Sequence, residues 1–178
     1  NLVVFLFKFS VAMCFLAHFI IDIEHQLLPD KINLYLLAVI LPYSVMSFSI
    51  DHWLFGGLLG FLAPYVVTWL FYKLRGQIGL GGGDIKLFGI LGILLGPVGV
   101  MHTLFLSSFL GSLIGLVLIA FKKMNRNTAL AFGPYILIVA TVQIFFPHFL
   151  RFIMEPSLQF VTKAIGLMGS KISPTTHY

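Results

Sequence analysis

The sequence predicts an all-α fold, a polytopic membrane protein with about six transmembrane helices. Three observations predict it. Of 178 residues, 59% are hydrophobic and only 10% charged, where a soluble domain carries about 25% charged residues. Mean hydropathy is +1.02. The apolar residues also fall into runs near the length that crosses a bilayer, about 20 residues, separated by short polar or glycine-rich stretches. Too few polar side chains exist to cover a water-facing surface, so lipid is the expected solvent.

The expected spans follow in order. Residues 2–21 make the first, interrupted by Lys8 and His18, and the polar stretch DIEHQLLPDK (22–31) follows. Residues 32–50 make the second, with Pro42 as a kink, and Asp51 and His52 form a short turn before a third span over 53–72. A polar loop over 73–83 ends in a glycine run. The stretch 85–121 is too long for one span and is expected to split near Gly96-Pro97, because proline removes a backbone donor and clashes with the preceding turn. The basic loop KKMNRNT (122–128) leads to a sixth span over 129–146. Residues 147–178 are less hydrophobic and read as a C-terminal interfacial helix and tail, separate from a membrane domain over 1–146.

Charge sets the expected orientation. The formal net charge is +5, from 11 Lys and Arg against 6 Asp and Glu. Basic residues with interleaved polar donors, as a nucleic-acid surface needs, do not cluster anywhere. Lys31, Lys73, Arg75, Lys86, Lys122, Lys123 and Arg126 instead fall on three polar segments that share one face, which the positive-inside rule places in the cytoplasm. Both chain ends would then lie outside. Cys14 stands alone and reads as a packing residue, with no intrachain disulfide or zinc knuckle. The chain starts at Asn1 and is apolar at once, as expected of a segment of a longer protein or a processed chain rather than a secretory signal. Glycines at four-residue spacing, Gly56/Gly60, Gly92/Gly96 and Gly111/Gly115, predict close helix packing.

Chemistry concentrates in few residues. Of the six acids, Asp22, Glu24, Asp30 and Asp84 fall on the inferred cytoplasmic face. Asp22 ends one span and Asp84 begins another, so both are expected near one membrane depth, where an ionisable group points to function. Two carboxylates that share a proton can act as base toward water and as donor to a carbonyl, the chemistry of metal-free peptide hydrolysis. The glycines of GLGGGDIKL (79–87) would let another backbone approach Asp84. The alternative is an ordinary turn, with Asp84 an N-cap and Asp22, Glu24 and His25 a solvated helix end.

IDIEHQLLPD (21–30), GLGGGDIKL (79–87) and AFGPY (131–135) together resemble the bacterial type IV prepilin peptidases, members of the GxGD aspartic peptidases, over about residues 10–140. The resemblance implies a GxGD aspartyl protease-like fold and an aspartic endopeptidase of the bacterial inner membrane. Such enzymes cleave the leader of type IV prepilins or type II secretion pseudopilins on the cytoplasmic side. It maps the catalytic aspartates onto Asp22 and Asp84, with Gly81 and Gly83 as the motif glycines and no cofactor or metal. Asp30 is the rival for the first position and reads instead as a cap for the second helix. Lys86 is a candidate contact to the dyad or the substrate, or a snorkelling interface lysine. Phe132, Gly133 and Pro134 would shape a kink near the catalytic depth. Many relatives carry an N-terminal domain with paired CxxC motifs, associated with methylation, and nothing in this sequence corresponds to it.

Rival readings are a transporter or channel using Asp22 and Asp84 as an ion or proton site, and a metal hydrolase built on Asp22, Glu24, His25, Asp30 and Asp84. A serine protease would draw on Ser107, Ser108 and His102, and a presenilin-like relative would need YD where the chain has ID, together with a PAL triplet.

Overall fold

The computed structural model describes residues 2–76, 79–121 and 131–146. The expected basic loop over 122–128 and the expected interfacial helix and tail over 147–178 lie outside the described residues. Among the described residues the structure is helical: α1 Leu2–His25, α2 Asp30–Ser47, α3 Ile50–Arg75, α4 Gly82–Ala120 and α5 Gly133–Phe145. The chain divides into two compact units, Asn1–Thr141 and Val142–Tyr178, and the contacts described below lie within the first.

Three helices, α1, α3 and α4, are long and apolar enough to cross a membrane. Of the others, α2 gives two of its 18 residues to Asp30 and Lys31, and α5 is apolar but only 13 residues long.

The helices run further than their apolar stretches. α1 continues to His25, so Asp22 lies a turn inside it. α3 continues through Lys73 and Arg75 to a left-handed Gly76, whose N–H donates to Tyr72 O at 2.7 Å. Lys73 lies 5.0 Å above the Trp69 ring, an arrangement that suits a basic residue leaving the apolar layer. The polar stretch at 22–31 is therefore mostly helix, with 26–29 outside, and the expected loop over 73–83 is helical at 73–75 and again from Gly82. Hydropathy marks where lipid ends, whereas the hydrogen-bond ladder continues as long as backbone partners remain. The turn between α2 and α3 falls at Phe48 and Ser49, and Asp51 and His52 belong to the first turn of α3.

The expected break before Pro97 falls on Gly96, the one non-helical residue inside α4, at φ 73° and ψ 179°. A residue preceding proline is pushed out of the α region, and glycine tolerates positive φ without a Cβ clash. His52 lies over the break: a Cβ at Gly96 would meet its ring, and His52 Nε2 is 3.4 Å from Leu94 O. A carbonyl accepts, so the imidazole supplies a donor to backbone near the interruption, where lipid has none to offer.

α3 and α4 make the most extensive packing, through the small residues expected to permit it. A Cβ on Gly56 would strike Gly92 O, and one on Gly60 would strike Phe88 O. The backbones therefore touch, which maximises dispersion contact where lipid supplies no hydrophobic drive. Gly92→Val should lower stability in detergent by about 1–3 kcal/mol or more, since the obstruction is backbone that no rotamer can clear. Thermal unfolding of the purified variant checks this, and a wild-type midpoint would contradict the backbone contact.

Candidate active site

One end of the bundle gathers the costly residues. On α1, Val11, Phe15, His18 and Asp22 recur at three- and four-residue spacing and are buried along one stripe. Asp22 is 3% exposed. α1 ends at Gln26, a rare non-glycine residue at positive φ, 51°, and the chain doubles back to send Leu28 inward, where it is buried. Pro29 then precedes α2.

Leu28 separates two glycines. A Cβ on Gly83 would lie 2.7 Å from Leu28 Cβ and 2.8 Å from Leu28 O, so the backbone entering α4 lies against the α1–α2 loop. On the other side, Gly133 opens α5, and a Cβ there would strike Asp22 Oδ2 and come within 3.2 Å of Leu28 Cδ1. Pro134 occupies the first turn of α5, where its missing N–H has no helical acceptor to lose. AFGPY thus builds a helix start rather than the expected kink, and the Gly133 backbone amide lies beside the Asp22 carboxyl.

Asp84 is held similarly. It is 8% exposed and occupies the third position of α4, with Gly81 at the N-cap. Its Oδ2 accepts from the Gly81 N–H at 3.3 Å. Asp84 therefore reaches back to the cap residue instead of being the cap. Each carboxyl lies at a helix N-terminus, Asp22 at that of α5 and Asp84 at that of α4, where exposed N–H groups favour negative charge. The two are close enough to interact electrostatically. Asp22 Oδ2 and Asp84 Oδ1 are buried without a hydrogen-bond partner among the described residues.

The structure thus brings Asp22, Asp84, Gly81 and Gly83 together and sets Lys86 apart. Two residues along a helix is about 200° of rotation, so Lys86 leaves the opposite side of α4 from Asp84. There its Nζ donates to Asp30 Oδ1 at 2.7 Å, both side chains being largely exposed. The pair edges a groove of about 490 Å³ walled by Leu37, Phe61, Ile90 and Ile93. Asp30 makes no cap hydrogen bond to α2 and sits in its first turn instead. Glu24 and His25 are exposed, 3.9 Å from each other, and among the described residues no three His, Cys, Asp or Glu side chains converge to hold a metal ion. Ser107 Oγ donates to Leu104 O at 3.2 Å, a bond within its own helix.

Two further buried polar residues near the dyad carry no motif in the sequence. His18 is fully buried and Asn33 is 3% exposed, and Asn33 Nδ2 donates to Gly83 O at 3.4 Å. The available signals were the four-residue step from His18 to Asp22 and a lone amide early in α2.

Among the described residues the chain is all-helical, with three helices long and apolar enough to cross a membrane and two buried aspartates at one end of the bundle. Residues 9–116, well over half of the chain, match the type IV leader peptidase family, and the chain belongs to that family. It is 38% identical over 129 residues to a prepilin leader peptidase/N-methyltransferase of Stutzerimonas stutzeri, covering 71% of this chain and 45% of the relative. A protein of the same name from Pseudomonas aeruginosa is 36% identical over 129 residues, covering 71% and 44%. One from Xanthomonas campestris is 35% identical over 138 residues, covering 76% and 48%. The chain spans about half the length of the curated relatives it matches. No solved structure matches it.

The glycines at the site separate by what surrounds them. Gly83→Ala should cost about 1–3 kcal/mol by forcing Leu28 away. Gly82→Ala, with nothing within 4 Å of the added Cβ, should be neutral or stabilising by up to about 1 kcal/mol. Thermal melts of the two variants side by side read the difference. Equal effects would contradict the apposition of Gly83 and Leu28.

Proposed function

We propose that the chain is the peptidase part of a prepilin leader peptidase, an aspartic endopeptidase that hydrolyses the bond between the leader and the mature part of type IV prepilins or type II secretion pseudopilins. The observation that carries this reading is the burial of Asp22 and Asp84 in electrostatic contact at one end of the bundle. The family and the printed names of the relatives support the substrate class. Nothing in the comparisons favours the transporter reading.

In this reading Asp22 and Asp84 hold one proton between them. The ionised carboxylate takes a proton from water as the water oxygen attacks the scissile carbonyl carbon. The protonated partner gives its proton to the carbonyl oxygen. Collapse of the tetrahedral intermediate breaks the C–N bond; the departing amine takes the proton that the first carboxylate drew from water, and the second carboxylate recovers one from the intermediate's hydroxyl. The leader leaves with a new carboxyl, and the mature chain keeps a new amino terminus. Gly81 holds Asp84 through its N–H, Gly83 seats α4 against Leu28, and Lys86 pins α4 to α2 through Asp30.

The membrane topology belongs to the same proposal. Six spans arise if α2 and α5 cross the bilayer and α4 crosses twice about Gly96. A straight helix of 39 residues would measure about 58 Å against a hydrocarbon core of about 30 Å. The dyad end, with Lys31, Lys73, Arg75 and Lys86, faces the cytoplasm of a bacterial inner-membrane protein. The substrate's apolar helix lies among the spans and its basic leader stays at that face. The peptidase domain spans residues 1–146.

Purified protein incubated with a synthetic prepilin tests the reading. Asp22→Asn and Asp84→Asn should each lower cleavage by about 10²–10⁴-fold or more, whereas Asp30→Asn and a chelator should leave most activity. Activity that survives Asp22→Asn and fails in Asp30→Asn would assign the first role to Asp30. Loss with chelator would move the chemistry to a metal.

A further inference from the structure

Two polar side chains of the apolar interior lie outside the peptidase mechanism, one near each of its aspartates. His18 precedes Asp22 by one turn of α1, on the same buried stripe. Its Nδ1 is 3.0 Å from Cys14 O. A carbonyl only accepts, so Nδ1 carries a proton and Nε2 is the atom free for a second contact. With the proton on Nδ1, Nε2 can only accept, so a contact to it has to come from an N–H of Asn33 Nδ2; Nε2 is buried without a hydrogen-bond partner among the described residues. The Asn33 amide faces the His18 ring, and its Nδ2 reaches Gly83 O, the residue before Asp84.

Other buried hydroxyls nearby behave differently. Thr103 and Ser107 bond to carbonyls of their own helix, Gly99 O and Leu104 O. These bonds lie within one helix. Asn33 instead crosses from α2 to a backbone carbonyl fifty residues away. Burying an imidazole and an amide where leucine would pack is costly, and the cost falls beside the dyad.

We propose that His18 and Asn33 are a positioning pair: together they link the turn of α1 that carries Asp22 to the backbone that carries Asp84, and so set the approach of the two carboxyls. This rests on reading Asp22 and Asp84 as the catalytic pair. Neither residue touches the scissile bond.

The test separates positioning from bulk stability. With a synthetic prepilin, His18→Leu and Asn33→Leu should each lower kcat about tenfold or more and leave KM within about twofold, because a misplaced dyad loses transition-state stabilisation and not substrate binding. The double variant should be no worse than the worse single, since both break one link. His18→Gln, whose amide stands where Nε2 stood, should recover activity. His18→Asn, whose amide stands where Nδ1 stood, should not. Additive losses, a raised KM in place of a lowered kcat, or equal recovery by Gln and Asn would overturn the pair. Should a leucine variant fail to fold, the Gln and Asn comparison decides alone.

A wild type that leaves prepilin uncut would refute the proposed function, and the pair is then judged by spectroscopy. In protein labelled with 15N-histidine and carboxyl-13C aspartate, Asn33→Leu should move both the His18 ring signals and the Asp84 carboxyl signal. An unmoved His18 or Asp84 signal would overturn the link.

Discussion

Two carboxyls held out of water at the end of an apolar bundle are the constraint on which the rest of this structure depends. An unpaired charge in such a place would cost several kcal/mol, and among the described residues no cation forms an ion pair with Asp22 or Asp84. Backbone dipoles take that role. The start of α5 faces Asp22 through Gly133, and the start of α4 faces Asp84 through Gly81. Two helix N-termini therefore have to converge on one site, and the placement of α4 and α5 follows.

That convergence explains why glycine recurs where it does. At Gly133 a methyl group would occupy the position of an Asp22 oxygen, and at Gly83 it would occupy that of Leu28. Leu28 lies between them as an apolar spacer, turned inward by the left-handed backbone at Gln26. Farther from the site, Gly56, Gly60 and Gly92 let α3 and α4 touch through their backbones. In lipid this close contact stands in for the hydrophobic drive that holds a soluble bundle. The same residue type thus serves the chemistry at one end of the bundle and its cohesion along the rest.

Much of this was legible in the sequence, and the failures share a cause. Composition gave lipid as solvent, the step before Pro97 located the break in α4, and the scarcity of acids singled out Asp22 and Asp84. Helix ends were misplaced because polar residues such as Asp22, Lys73 and His52 read as loop, although the backbone hydrogen-bond ladder continues through them. Asp30 looked like a cap, but its carboxylate is drawn to Lys86, a partner 56 residues away that no local pattern indicates. His18 and Asn33 were passed over for the same reason: their significance lies in contacts between helices, and spacing along one helix reveals only half of each. The AFGPY stretch read as a kink since its neighbour, the Asp22 carboxyl, is more than a hundred residues earlier in the chain.

The central claim is that Asp22 and Asp84 act as one electrostatic unit, and carboxyl-13C spectroscopy tests it without any substrate. Asp22, Asp30, Asp51 and Asp84 are the aspartates to assign, each by substitution to asparagine. The account predicts that Asp22→Asn changes the midpoint and shape of the Asp84 titration. An Asp84 curve that superimposes on wild type in the Asp22→Asn variant would contradict it.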